Sequence, residues 1–383
     1  MAIEFEGSDG PTLGIEMELE VIDRDTRELK PAAAELIGEL SRELSGEAEH
    51  PKVKHELLDS TIEVITGINS TVADGRRDIE STLAEIAPLL PERNLALLCS
   101  GSHPFSNWQD QGITPNARYE QMMDDFQWVG RRLQIFGIHF HVGVRSGRKA
   151  IAILNSLSNY IPHFLALSAS SPYWGGHDTG LASARSKVFE GLPTAGLPYI
   201  LDSWEEFEWF MDTLVAADAI HSVREVWWDI RPHPGFGTIE LRICDGIGSL
   251  DELASMAALA QSLVTQLDLL DDRGFRLPVP KDWILRQNKW RAARYGIDAD
   301  IIVDDHGRLQ PLSRAIAEIV DELMPVARRL KCADELHGVL DILNRGPSYM
   351  RQRTIVAEGG SLIDVVDSMV EELGVGRFFN GRR

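Results

Sequence analysis

Residues Thr12–Val21 read TLGIEMELEV, and the alternation in that stretch decides how the chain is read. Successive side chains of a strand point to opposite faces. Leu13, Ile15, Met17, Leu19 and Val21 therefore share one face, while Glu16, Glu18 and Glu20 stand in a row on the other. Adjacent like charges on a strand repel, so the row is costly unless water or cations screen it. One reading is the wet side of an amphipathic strand. The other is a carboxylate bed for hard divalent cations, which favour oxygen ligands.

Three further stretches repeat the design. In GIHFHVGV, Ile138, Phe140, Val142 and Val144 point one way and His139 and His141 the other. In GTIELRIC, Ile239, Leu241 and Ile243 alternate with Thr238, Glu240 and Arg242, and Cys244 falls on the same nominal face as Arg242. In VKHELLDSTIEVITG, Glu63 sits between Ile62 and Val64, with His55 and Glu56 upstream. A lone His-x-His is more often a hydrogen-bonded sheet pair, and a lone Glu-x-Arg a surface ion pair. Four strands with the same division are harder to ascribe to accident. They predict one sheet with an apolar back and an ionic front, and a metal-and-anion site across that front.

Strand candidates are Thr12–Val21, Val53–Thr66 with an interruption near Asp59-Ser60, Leu95–Ser100, Ile138–Val144, Glu225–Arg231 and Thr238–Ile243. Helical spacing runs from Tyr119 through Met122, Met123, Phe126, Val129 and Leu133 to Phe136, and this stripe reads as core packing. Ser249 with Glu252 forms a capping-box pattern opening a helix to about Leu270; Asp202 or Ser203 caps Trp204–Ala217; Leu312–Lys331 is another helix. Strands and helices mix without regular βαβ alternation. That predicts an α+β fold with a mainly antiparallel sheet and helices on one face. Neither G-x-G-x-x-G nor G-x-x-x-x-G-K-[ST] occurs, which argues against Rossmann and P-loop nucleotide sites.

The chain has 383 residues, 44% of them hydrophobic and 25% charged, ample for a large core. No linker or repeat divides it, so a single domain over 1–383 is expected, with C-terminal helices from about 312. Lys and Arg number 38 against 59 Asp and Glu, a net charge of −21 without a basic block. Nucleic acid and anionic membranes are thereby poor partners. No apolar run approaches the ~20 residues of a membrane span, and the N-terminus lacks a secretory pattern. Three cysteines, Cys99, Cys244 and Cys332, have no metal-site spacing, and a reduced cytoplasmic protein is the simplest expectation. An anionic substrate would have to be met locally, by metal ions and a few arginines.

Arginines do gather in particular segments. WWDIRPHPGFGTIELR joins Arg231 to the Glu240–Arg242 strand through a Pro/Gly turn. LASARSKVFEGLPTAGLP places Arg185 and Lys187 in a Gly/Pro-rich loop, and RQNKWRAARYGIDA groups Lys289, Arg291 and Arg294. Arginine's planar fork suits carboxylate and phosphate oxygens, though pairing with the chain's many acids is the competing use.

TLGIEMELE, HELLDSTIEVITG, GSHPF, GIHFHVGV, SARSKVFEGLPTAGLP, WWDIRPHPGFGTIELRICDG and NKWRAARYGIDA together resemble the type 2 glutamate–cysteine ligases, or carboxylate–amine ligases. The resemblance runs in consistent order from about Pro11 to Ala299. It implies a glutamine-synthetase-like catalytic domain, whose curved, mainly antiparallel sheet holds ATP, Mg2+ (or Mn2+) and an acidic substrate on its concave face. Carried over by motif, Glu16 and Glu18 would bind two different metal ions, Glu56 and Glu63 completing the first site and His139 and Glu240 the second. His141 and Arg242 would face the transferred phosphoryl group. Arg231 and Arg185 would contact substrate carboxylate or phosphate, and Lys289 and Arg291 join Arg185 as expected nucleotide contacts.

The activity so implied is amide formation, with the γ-carboxylate of L-glutamate activated by ATP as an acyl phosphate and attacked by the amine of L-cysteine. Phosphoryl transfer asks mainly for positioning and charge neutralisation, so no Ser, Cys or Lys nucleophile is needed. Small-molecule substrates are the expected partners, and a homo-oligomer is left open. The competing readings are the same chemistry on another acid and amine, a two-metal hydrolase, and a non-catalytic metal-binding scaffold.

Overall fold

The computed structural model of the chain describes residues 3–43 and 50–379. Its central seven-stranded sheet comprises β1 (Leu13–Asp23), β2 (Val53–His55), β3 (Thr61–Ile65), β4 (Leu95–Leu98), β5 (Gly137–Gly143), β6 (Ile230–His233) and β7 (Thr238–Asp245). The order is β2-β3-β1-β5-β7-β6, with β4 paired to the far half of β1, and every pairing is antiparallel. Two short hairpins, Tyr173–Trp174 with His177–Asp178 and Asp300–Ile302 with Leu309–Pro311, lie apart from it. Strands so short carry no readable alternation.

The apolar back follows from the alternation. Leu13, Met17, Leu19, Ile62, Val64, Ile138, Phe140, Val142, Ile239 and Leu241 are all fully buried in one cluster. Burying each large side chain is worth roughly 1.5–3 kcal/mol. Helices packed on this face include Ala33–Glu43, α1 (Val72–Ile86), α3 (Gly147–Leu157), α4 (Ile161–Ser168) and α5 (Leu250–Asp272). A further helix, α2 (Ala117–Arg131), lies elsewhere and is taken up below. The α5 helix is apolar nearly all round because it is covered nearly all round. By length and composition, 147–168 and Leu250–Asp272 could each cross a bilayer, but 83% and 72% of those windows are buried within the protein. Trp204–Ala216 is a further helix, and the C-terminal part adds helices Leu312–Leu330, Ala333–Arg345, Ser348–Ala357, Leu362–Leu373 and Gly376–Phe379.

Two local expectations change. Ser249 accepts from the Glu252 N–H at 3.4 Å, but the Glu252 carboxylate does not reach back. It accepts from Arg351 at 2.9 and 3.2 Å, so the box is half formed. The expected strand over 225–231 is also displaced: Val223–Glu225 is a 3-10 turn and pairing begins only at Ile230. The intervening backbone is held by the 194–196 loop, where the Asp229 N–H donates to the Gly196 carbonyl at 2.7 Å.

Sheet register brings the ionic residues together. Glu18 lies opposite Glu63, Glu16 opposite His139, His141 opposite Glu240, and Glu240 opposite Arg231. The β5–β7 ladder then shifts: Phe140 pairs with Leu241, but Ile138 pairs with Cys244. This bulge adds a residue to β7 and reverses its parity, so Cys244 enters the core instead of joining Arg242 at the front.

Candidate active site

The front of the sheet forms one wall of a cavity of about 440 Å³. Glu16, Glu18, Glu56, Glu63, His139, His141, Arg231, Glu240 and Arg242 all line it. Glu20, third in the β1 row, does not. It is fully buried, accepts from Ser100 Oγ at 2.7 Å, and burial pushes its carboxyl well above the usual range.

Oxygens of Glu18, Glu56 and Glu63 come within 4.8 Å of one another. Enclosure, then the charge of Glu56, pushes Glu18 up to about 8. Enclosure and the neighbouring glutamates raise Glu63 well above its ordinary value, and enclosure raises Glu56. Three carboxylates that resist ionising together, all offering oxygen, suit a hard divalent cation.

Glu16 takes part in two other groupings, one with His139 and Glu63 and one with His141 and Glu240. His139 Nδ1 lies 2.8 Å from Glu16 Oε2, and His141 Nε2 lies 3.1 Å from Glu16 Oε1. Enclosure would raise Glu16, but the charge of His141 and hydrogen bonds from both rings hold it well below the carboxylate range. Conversely, Glu16 and Glu240 raise His141 against the effect of enclosure. Enclosure and Arg242 lower His139 to about 4, so its ring is neutral at pH 7. With Nδ1–H donated to Glu16, the bare nitrogen is Nε2, on the side of Glu18 at 3.9 Å. His139 and Glu240, expected in one metal set, thus fall in two different groupings.

Glu240 is instead held by arginines. Arg231 donates Nε to Oε2 at 2.6 Å and Nη2 to Oε1 at 3.3 Å, and Arg242 Nη1 also bonds Oε1. Burial opposes ionisation of Glu240, but the two guanidinium charges prevail and its pKa lies far below normal. Arg231 spends Nη1 on the Val223 and Val226 carbonyls, at 2.9 and 3.1 Å. Arg242 Nε has no partner among the described residues, leaving a cationic donor at the cavity wall.

Three expected nucleotide contacts are absent from the residues lining this cavity. Arg185 is buried on the Glu18 side of the sheet, where its charge acts on Glu18, near the Ile243 and Arg242 carbonyls at 3.4 and 3.3 Å. It packs so close to Gly137 that a Cβ there would strike its guanidinium, and Gly137 in turn donates its N–H to Glu18 Oε2 at 2.5 Å. Lys289, in the helix α6 (Asp282–Tyr295), is buried against Asp229 at 2.6 Å and Glu190 at 2.7 Å. Arg291 donates to the Asp300 carbonyl at 2.8 Å. Acids within the fold hold Lys289, while backbone carbonyls hold Arg185 and Arg291.

The rest of the lining escaped the sequence reading. Tyr119 and Met122 of α2, with Leu57, Leu133, Phe136, Leu192 and Trp227, make an apolar wall. The α2 stripe is half-buried, and its helix is interrupted at Gln127 with φ of 47°. Its spacing was a true signal of amphipathicity but could not distinguish core from cavity wall. His233 and Phe236, in the Pro/Gly turn, line the opposite end. Burial lowers His233 to about 4, and its Nδ1 has no partner among the described residues.

Comparison with known proteins agrees with this architecture. The glutamate–cysteine ligase family 2 model matches residues 12–368. A Frankia casuarinae protein provisionally named glutamate–cysteine ligase 2-1 is 52% identical over 378 residues, covering 98% of this chain and 99% of its own. A Thermobifida fusca protein provisionally named glutamate–cysteine ligase 2 is 50% identical over 376 residues, covering 98% and 94%. The crystal structure of a Francisella tularensis glutamate–cysteine ligase in complex with AMP superposes with a TM-score of 0.70 at 13% identity, covering 99% of this chain and 91% of that one. At that identity the likeness speaks for the fold.

Proposed function

The chain belongs to glutamate–cysteine ligase family 2 and is an ATP-dependent carboxylate–amine ligase, and we propose that it joins the γ-carboxylate of L-glutamate to the amine of L-cysteine. The observation that carries this reading is the division of one cavity into a carboxylate cluster and an arginine–histidine cluster. The first suits metal ions and the second suits phosphoryl oxygens.

Glu18, Glu56 and Glu63 would hold one divalent ion, and Glu16 with His139 a second. Bound there, Mg2+ or Mn2+ would neutralise charge on the phosphates. The chain's own residues supply the rest. Arg242, fixed by Glu240, presents donors to the phosphoryl group as its charge is redistributed, and Arg231 holds Glu240 from the other side. His141, whose pKa Glu16 and Glu240 raise, adds a further donor on the same side. The substrate carboxylate attacks the γ-phosphorus of ATP and ADP leaves. The amine then attacks the acyl carbon, phosphate leaves with the C–O electron pair, and the amine gives up a proton. The free, buried cysteines accord with a cytoplasmic setting.

The apolar wall with Met122, Leu192 and Trp227 favours one variation, the same chemistry with another, more apolar amine. The test is turnover of purified protein with ATP and Mg2+ against paired acids and amines, reading ADP and product mass. ADP is expected only when acid and amine are both present. Brisk ATP hydrolysis indifferent to either would overturn the ligase reading.

A further inference from the structure

Phe236 is a large aromatic side chain left 58% exposed at the rim of the cavity. Its ring lies parallel to that of His233, with centroids 4.0 Å apart and planes 13° from one another. His233 is 9% exposed, and both rings meet His141 edge-on at 5.7 Å. The turn that carries them is fixed on both sides. The Glu6 N–H donates to the Pro234 carbonyl at 2.9 Å, and the Val144 N–H donates to the Gly237 carbonyl at 2.8 Å. Gly237 has φ of 61°, and a Cβ there would overlap the Glu6 carbonyl, so the turn cannot relax by substitution. An exposed ring on so rigid a mount is poorly explained by packing alone.

The geometry points to the Phe236–His233 pair as the shelf on which the purine ring of ATP stacks, a reading that rests on the proposed ligase function. The order of groups along the cavity carries it. Lys54, Arg118 and Arg224 line the cavity from other elements, while on the sheet front Arg231 and His141 flank Glu240 in register with Arg242 two residues along β7, so these groups suited to a triphosphate lie between the two ends. At one end, beside Glu18, is the enclosed apolar wall around Phe136, Leu133 and Leu192. At the other end, one ring beyond His141, is the open face of Phe236. A nucleotide whose phosphates lie in the middle must place its base at one end. The base at Phe236 leaves the enclosed end to the acid and amine, whose intermediate must be kept from water. A flat π-face suits a flat aromatic base, and stacking of this kind tolerates several bases.

Phe236→Ala and Phe236→Trp, compared with the unaltered protein, test the assignment through steady-state kinetics and calorimetric titration with ADP and Mg2+. The alanine variant is expected to raise KM for ATP and Kd for ADP about tenfold or more, the scale of one lost base–aromatic stack, with kcat within about threefold. Tryptophan should restore both, and competitive inhibition by inorganic tripolyphosphate, which has no base, should be unaltered by either change. If the unaltered protein turns over but Phe236→Ala leaves KM for ATP within about twofold, the shelf is wrong and the ligase reading stands. A shift confined to KM of the acid or amine, or an equal loss of tripolyphosphate inhibition, also overturns it. An unaltered protein that neither binds nor consumes ATP removes the ligase reading itself, and the shelf with it.

Discussion

Arg231 and Glu240 face one another across the β6–β7 ladder, the Arg231 Nε donating to Glu240 Oε2 at 2.6 Å. Arg242 bonds the other oxygen of the same carboxylate. One buried acid therefore sets the direction of two arginines, and the three cannot be altered independently.

Arg242→Lys keeps the charge but loses the planar fork. A lysine cannot both hold Glu240 and present a second parallel donor to a phosphoryl group. We expect kcat to fall on the order of 10²-fold or more, the scale of a lost preorganised donor, with Mg2+ affinity nearly unchanged. Titrating Mg2+ against turnover, with fold followed by circular dichroism, decides it. Near-normal turnover in the folded variant sinks the assigned role.

The carboxylate cluster yields a prediction in two opposed directions. Glu18, Glu56 and Glu63 repel one another, so Glu63→Gln relieves strain in the metal-free protein and should raise its Tm. The same change removes a ligand, so the further rise in Tm on adding Mn2+ should shrink or vanish. A variant that is destabilised without metal, yet still stabilised by Mn2+ as before, contradicts the cation assignment.

Cys244 tests the bulge. It is fully buried opposite Ile138, and burial pushes its thiol up to about 12. Cys244→Ser should retain most of the activity, apart from any loss through packing, and the native thiol should resist alkylation in the folded state. An acyl-thioester trapped on Cys244 by mass spectrometry would overturn the acyl-phosphate route.

That bulge also marks where sequence reading stops. Alternation placed Glu16, Glu18, His139, His141, Glu240 and Arg242 on one face because strand periodicity is a local property. It failed at Cys244 because one extra residue in β7, invisible in the pattern, reverses the parity beyond it. Arg185 and Lys289 fall outside the cavity lining for a different reason. Their motifs are real, but Asp229, Glu190 and the Arg242 and Ile243 carbonyls that claim them are distant in sequence. Tyr119 and Met122 share the helical spacing of core residues, and only tertiary placement of α2 turns that stripe toward a cavity.

Acid stability should depend on His103. Its Nε2 is 2.8 Å from the Arg27 carbonyl, and its Nδ1 accepts from the Phe105 and Ser106 N–H groups at 3.3 and 3.0 Å. A second proton would set Nδ1–H against two donors, and burial lowers the ring to about 4 from 6.5. The unfolded chain takes up the proton first as pH falls, so stability present above 6.5 is lost progressively down to about 4. Between pH 7.5 and 5 the loss from this one group is about 2 kcal/mol. His103→Gln should be less stable at pH 7.5 but lose less over that interval, as read from urea midpoints. An unchanged pH slope would remove His103 as the cause.

Lys289 separates framework from ligand. Its ammonium is buried between Asp229 and Glu190, and Asp229 also accepts the Arg242 N–H through its carbonyl at 2.8 Å. Lys289→Met leaves the Asp229 carboxylate buried without its partner, a change that typically costs about 3–5 kcal/mol. Adding Asp229→Asn removes that stranded charge, so the double variant should recover part of the lost stability although it has lost both ions. Recovery of this kind is the signature of a structural pair. A residue that binds nucleotide behaves otherwise: its loss raises KM for ATP, and neutralising Asp229 does nothing to restore it. Urea midpoints for the single and double variants, with KM for ATP measured where each is folded, distinguish the two. Raised KM in Lys289→Met, with no stability regained in the double variant, would return Lys289 to the nucleotide site.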